Sequence, residues 1–148
     1  MKTNVKDIAQ DILNSNIYMT LATSGAAGVP WAAPVFYRLD NDNNLYFASS
    51  PKSRHMKNLS ENNSVSFSIF DSTAPEGKGV GVQGMGTVKK LGNLELLKEL
   101  RYYVSTFLKV KPSFYKGKSF YRLYKLTPVK LYVTDSDSDV DRRIAVRL

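Results

Sequence analysis

The 148-residue chain contains no cysteine and a single histidine, His55. That excludes disulfides, thiolate metal sites, a thiol nucleophile and any metal cluster built on several histidines. No run of about 18 or more apolar residues occurs, so no membrane-spanning helix is expected. The N-terminal residues alternate charged and apolar side chains and lack a signal-type apolar core, so a cytoplasmic protein is expected. Internal repeats are absent too, and the length corresponds to one domain, residues 1–148, with enough buried surface for a core.

What is present is positive charge. The formal net charge is +8 even though Asp135, Asp137, Asp139 and Asp141 crowd one short stretch. A basic body favours anionic partners such as a phosphorylated cofactor or nucleic acid, although solubility alone accounts for lysines equally well. Basic and aromatic residues interleave between Tyr102 and Lys125. Single-strand nucleic-acid binders use that mixture, but no nucleic-acid motif accompanies it, and cores and dimer interfaces are aromatic as well.

The apolar positions give the element order. Val5, Ile8, Ala9, Ile12 and Leu13 follow helical spacing, with Thr3 as the expected N-cap. From Ile17 the period becomes two, and Val29–Leu39 reads as the next strand, its Pro30 and Pro34 demanding an edge, a bulge or a strand start. Leu45–Ala48 pairs back across an Asp40–Asn44 turn, and Val65, Phe67 and Ile69 alternate with serines in a half-buried strand. Val80–Leu91 is a further strand rich in glycine, and Asn93 caps an amphipathic helix carrying Leu94, Leu97, Leu100 and Val104. A basic linker, 109–118, precedes Ser119–Thr134, one long strand or two broken at Pro128. About six strands and three helices with short connections and no βαβ rhythm predict a mainly β (α+β) antiparallel barrel.

Two motif matches fail on context. Gly79-Val80-Gly81-Val82-Gln83-Gly84 spells the dinucleotide fingerprint, but strand-forming residues follow where a helix must open. Glycines there are expected to admit a neighbouring chain or a flat ligand. Asp135–Asp139 resembles an EF-hand start, but Val140 stands in place of the required glycine and Val146 in place of glutamate.

The most informative stretch is Tyr46-Phe47-Ala48-Ser49-Ser50-Pro51-Lys52-Ser53-Arg54-His55-Met56-Lys57. It reads as a strand running into a helix, with Ser50 as N-cap and Pro51 at the first helical position. A helix start presents unpaired N–H groups and partial positive charge, and Ser53, Arg54, His55 and Lys57 add a hydroxyl and cations. Ser53, Arg54 and Lys57 are spaced to share one face. That is a phosphate site in outline.

This stretch, with Thr20-Leu21-Ala22-Thr23, Gly28-Val29-Pro30, Pro34-Val35-Phe36-Tyr37, Asn62-Asn63-Ser64-Val65-Ser66-Phe67 and Val82-Gln83-Gly84, resembles the FMN-binding split-barrel proteins related to pyridoxamine 5′-phosphate oxidase, in their general stress protein-like branch. The resemblance covers roughly residues 5–134 and implies a six-stranded antiparallel split β-barrel with flanking helices. It implies a homodimer with one FMN at each of two clefts between subunits. Ser53 and Arg54 would hold the phosphate with Lys57 assisting, while Pro34, Val35, Phe36 and Tyr37 would line the isoalloxazine through backbone groups. Ser49 and Ser50 would close the ribityl side, and Gln83 would stand in for a flavin-contacting glutamine. His55 replaces a second cation of the family oxidases, so phosphate affinity is expected to be lower or pH-sensitive. The Arg-Pro/Ser-Gln and Arg-x-His motifs of the true oxidases are missing, which leaves the small-molecule substrate and any catalytic residue unidentified. Three readings follow: an FMN-dependent oxidoreductase, a non-catalytic carrier of flavin, deazaflavin or haem, and a basic nucleic-acid module.

Overall fold

A computed structural model describes residues 4–92, 95, 121–134 and 142–147. The expected helix after Asn93, the linker 109–118, the interleaved aromatics from Tyr102 to Phe120 and the aspartates of 135–141 lie outside those residues.

Helix α1 (Val5–Ser15) turns Ala9 and Leu13 into the core. Its N-cap is Asn4 rather than Thr3, with the Asn4 side chain accepting from Lys6 N at 3.0 Å. The described strands are β1 (Tyr18–Ser24), β2 (Pro30–Phe36), β3 (Arg38–Leu39), β4 (Leu45–Ser49), β5 (Ser64–Phe70), β6 (Gly81–Lys90), β7 (Arg122–Thr134) and β8 (Arg143–Val146). Helix α2 (Arg54–Glu61) lies between β4 and β5. No helix among the described residues is long and apolar enough to cross a membrane.

All pairings are antiparallel, in the order β2-β1-β5-β6-β7-β4-β3, with β8 added beside β7. The two outermost strands of that order, β2 and β3, are consecutive in the chain and separated only by Tyr37. The sheet therefore curls until one bent strand, 30–39, serves both edges. This is the expected antiparallel split barrel, its Val29–Leu39 strand changing partner from β1 to β4 at Tyr37. Period-two burial fills the interior: Met19 and Leu21, Val65, Phe67 and Ile69, and Val82 all face one core with Leu45, Phe47 and Leu126.

Local irregularities follow from particular residues. The Asp40–Asn44 turn is tied by Asp40, whose Oδ1 accepts from the N–H groups of Asp42 and Asn44 at 2.9 Å each. Burial raises the Asp40 pKa, but these bonds and those from the Asn44 side chain and the Tyr46 hydroxyl outweigh it and hold the carboxyl below its usual value. Strand β7 runs unbroken through Pro128, and the ladder with β6 slips there: Gly86 faces Pro128 while Met85 faces Lys130. A Cβ on Gly86 would strike the Thr127 carbonyl, and one on Gly84 the Phe67 ring. The close approach expected of these glycines is thus made by the protein's own strands and core, and the fingerprint-like segment continues as β6. The short strand β8 was not foreseen; it pairs Leu131–Thr134 with Arg143–Val146.

Candidate functional site

The segment after β4 makes a turn before it makes a helix. Ser53 N donates to the Ser50 carbonyl at 3.0 Å, and Lys52 N donates to Ser50 Oγ at 3.2 Å. Helix α2 then opens at Arg54 with Ser53 as N-cap. The expected start at Ser50-Pro51 is therefore corrected by one turn: the Ser-Pro signal is real, but it serves the turn.

Ser53 caps by backbone position only; its side chain makes no cap hydrogen bond. Its hydroxyl donates instead to the Ser50 carbonyl at 2.8 Å, leaving the first-turn N–H groups of α2 without that side-chain partner. Ser49, buried at the end of β4, shares a hydrogen bond of 2.7 Å with His55 Nε2, and Ser53 Oγ lies 3.3 Å from Ser49 Oγ and 3.2 Å from Nε2. Because the Ser53 proton is committed to the Ser50 carbonyl, Ser53 Oγ is an acceptor toward the other two. A proton on Nε2 then gives one consistent chain: His55 donates to Ser49, Ser49 to Ser53, and Ser53 to the backbone. Burial depresses the His55 pKa below its usual value, which favours the neutral ring.

Arg54 is exposed, and its guanidinium lies 4.4 Å from the centroid of the Trp31 ring. Lys57 points elsewhere. It lines an open cleft of about 280 Å³ between α2 and the paired ends of β6 and β7, with Met56, Leu59, Val88, Lys90 and Tyr124. Neither Ser53 nor Arg54 borders that cleft, so the shared face expected of Ser53, Arg54 and Lys57 divides into two.

The other expected site residues are distributed over the barrel. Pro34 is exposed on β2 opposite Thr20, and half-buried Phe36 packs edge-on against Tyr18 with the Arg38 guanidinium 4.3 Å above its ring. Val35 and Tyr37 are core residues. Tyr37 donates through its N–H to Ile17 O at 2.9 Å and through its hydroxyl to Leu13 O at 2.7 Å. Gln83 is exposed on β6, and its Oε1 accepts from Arg143 Nε at 2.6 Å. Hydrogen bonds thus join Ser49, Ser50, Ser53 and His55 with Arg54 beside them, whereas the contacts of the Pro34, Val35, Phe36, Tyr37, Lys57 and Gln83 side chains described above are made elsewhere. Sequence reasoning missed Trp31, Lys90 and Tyr124, which reach their partners only through the fold.

One further surface stands out. β1, β2 and β5 contain no charged residue, and their outward side chains are hydroxyls, prolines, alanines and aromatics, with Tyr18 57% and Phe70 54% exposed. In a chain of net charge +8, that face is unusual.

Comparisons with known proteins agree with this architecture. The model of the pyridoxamine 5′-phosphate oxidase family matches residues 5–135. Among solved structures, a haem-binding protein from Mycobacterium smegmatis superposes with a TM-score of 0.79 at 19% identity, covering 99% of this chain and 59% of that one. This chain therefore spans somewhat more than half the length of that neighbour. An FAD-binding protein from Mesorhizobium loti gives 0.67 at 19% identity, covering 85% of this chain and 91% of the other. General stress protein 26 from Bacillus anthracis gives 0.68 at 16%, covering 97% and 98%. No curated protein matches in sequence.

Proposed function

The chain belongs to the pyridoxamine 5′-phosphate oxidase family, and from that premise we propose that it binds FMN and acts as an oxidoreductase on a small molecule. The observation that carries this reading is the cluster at the start of α2. Ser49, Ser53 and His55 form a polar network there, Arg54 stands exposed beside it, and the first-turn N–H groups lack a side-chain cap.

The donor set fits a phosphate. It combines hydroxyls, a guanidinium with in-plane N–H groups and a helix N-terminus, all of which favour an anion. Arg54 and Ser53 would hold the phosphate oxygens, and the His55 ring would add charge on taking up a proton. Once bound, the flavin would supply the redox chemistry, while the chain supplies binding, orientation and exclusion of water. The uncharged outer face of β1, β2 and β5 supports assembly as a homodimer, since interface cores are depleted of charge and enriched in aromatics. Sedimentation of the purified protein tests that part.

A haem carrier is the second reading. Its specific support is the haem-binding protein among the structural neighbours together with the presence of one imidazole, His55. His55 Nε2 is engaged with Ser49 at 2.7 Å, which favours the phosphate reading. Titration of the purified protein with FMN and, separately, with haemin decides between them. Saturable FMN binding that is weakened by Arg54→Ala supports the flavoprotein. A Soret band that shifts on binding and is lost in His55→Ala, with no FMN binding at about 100 µM, overturns it in favour of the carrier.

A further inference from the structure

We propose that Trp31 is a positioning residue that holds the Arg54 guanidinium ready for an anion. This rests on the phosphate-site reading above and adds to it a residue remote in sequence from the cluster.

Three observations carry the inference. First, the Arg54 guanidinium lies 4.4 Å from the Trp31 ring centroid. A guanidinium held over an aromatic face is attracted to the ring without a carboxylate partner, which would consume its N–H donors. Second, among the described residues Arg54 has no ion pair, so no described carboxylate competes with an incoming anion. Third, Trp31 is fastened to the helix that carries Arg54. Asn58, one turn further along α2, donates from Nδ2 to Thr23 Oγ1 at 3.1 Å, and Thr23 pairs with Trp31 across β1 and β2. Glu61 accepts from Ala26 N at 2.6 Å, tying the end of α2 to the same hairpin. Strand and helix are thus held at two points, and the indole is presented under Arg54 by construction. Trp31 is 39% exposed and Arg54 is exposed as well, so the pair lies at the surface.

An arginine on a flexible stem gives up rotamer freedom when it binds an anion, and a stack formed beforehand reduces that loss. The expected contribution is that of an exposed cation–π pair, about twofold to fivefold in affinity.

The test compares FMN with riboflavin, which lacks the phosphate, by quenching of flavin fluorescence in wild type, Trp31→Leu, Trp31→Phe, Arg54→Ala and the Trp31→Leu/Arg54→Ala pair. Trp31→Leu is expected to raise the Kd for FMN about twofold to fivefold and leave that for riboflavin unchanged, with Trp31→Phe recovering part of the loss. In the Arg54→Ala background Trp31→Leu is expected to change nothing further. Equal weakening of FMN and riboflavin, or a full Trp31→Leu effect without Arg54, overturns the positioning role. So does an unchanged FMN Kd in Trp31→Leu when wild type binds, which leaves the FMN reading standing. No saturable binding by wild type overturns both. Should Trp31→Leu melt unlike wild type, Trp31→Phe and Trp31→Gln carry the same comparison.

Discussion

The two helices described above, α1 and α2, close opposite ends of strand β1, and they do so by opposite means. At its start, α1 inserts Ala9 and Leu13, fully buried, and the Tyr37 hydroxyl caps the Leu13 carbonyl from inside the barrel. Asn16 satisfies the neighbouring Ile12 carbonyl at 2.8 Å. The exposed carbonyls of a helix end are thereby met by side chains, as burial requires. At the far end of β1, α2 commits only Met56 and Leu59 to the core. The rest of that end is a half-buried imidazole, a hydroxyl chain and an exposed guanidinium stacked on a ring. One end is finished within the chain. The other leaves the first-turn N–H groups of α2 without a side-chain cap and the Arg54 side chain exposed, on a helix anchored sideways through Asn58 and Glu61.

Leu13 is the main apolar anchor of the α1 end. Leu13→Ala is expected to cost about 2–5 kcal/mol of stability, the range for a leucine removed from a packed core, with FMN affinity of the remaining folded protein unchanged. Denaturant melts with and without FMN check both halves, and a large loss of intrinsic affinity would show that the two ends are coupled. At the other end the effects should exchange. Arg54→Ala is expected to weaken FMN by about 10–100-fold, the loss of a charge-assisted contact to phosphate, and to leave the thermal midpoint of the free protein within about 2 °C, as an exposed side chain should. A destabilised free protein would mean that the stack on Trp31 supports the fold.

Tyr37→Phe sharpens the contrast with a smaller change. The phenol is buried, and burial raises its pKa well above the usual value, so the hydroxyl stays protonated and donating. Removing it strands the Leu13 carbonyl at an expected cost of about 1–3 kcal/mol, read from the same melts. Because the Tyr37 N–H, which bonds Ile17, is untouched, flavin binding should not follow. If it does, the bend between β2 and β3 reaches the site.

How much of this was legible differs between the ends for a physical reason. The α1 end rests on local periodicity: Ala9 and Leu13 were placed by helical spacing, and Val65, Phe67 and Ile69 by alternation, because one buried face imposes its period on the sequence. The residue types of the α2 end were legible as well, since Ser53, Arg54 and His55 are adjacent in sequence. Their arrangement was not. Ser50-Pro51 satisfies the rules for a helix start and for a turn alike, and the Ser53 N–H bond to the Ser50 carbonyl selects the turn. The helix then begins one turn later, and Lys57 faces the cleft with Lys90 instead of Arg54. Trp31 reaches Arg54 only through the β1–β2 register, and β8 exists only because β7 offers it an edge. The Tyr37 side chain is buried at the bend between β2 and β3, where its hydroxyl reaches Leu13 O, a long-range contact that strand alternation alone does not reveal.

The finest discrimination comes from His55, where the two ends of the barrel should differ in their response to pH. Burial holds the folded imidazole below its usual pKa of 6.5, so the unfolded chain takes up the proton first. The stability that neutral His55 confers on the free protein is complete above about pH 6.5 and is lost as the pH falls through the lower folded value. A phosphate bound at α2 reverses the preference, because the anion favours the imidazolium, so binding carries proton uptake. Affinity relative to a variant without the imidazole should therefore rise as the pH falls. The ratio of FMN Kd values, His55→Gln over wild type, is expected to grow about threefold to tenfold between pH 8 and pH 6, and taking the ratio cancels protonation of the phosphate itself. His55→Lys, which restores a permanent cation, should bind more tightly at pH 8 and lose most of that pH dependence. A flat ratio would show that the Ser49 hydrogen bond keeps the ring neutral throughout. The imidazole would then belong with Tyr37 as a structural partner, and Arg54 would stand as the cation that meets the phosphate.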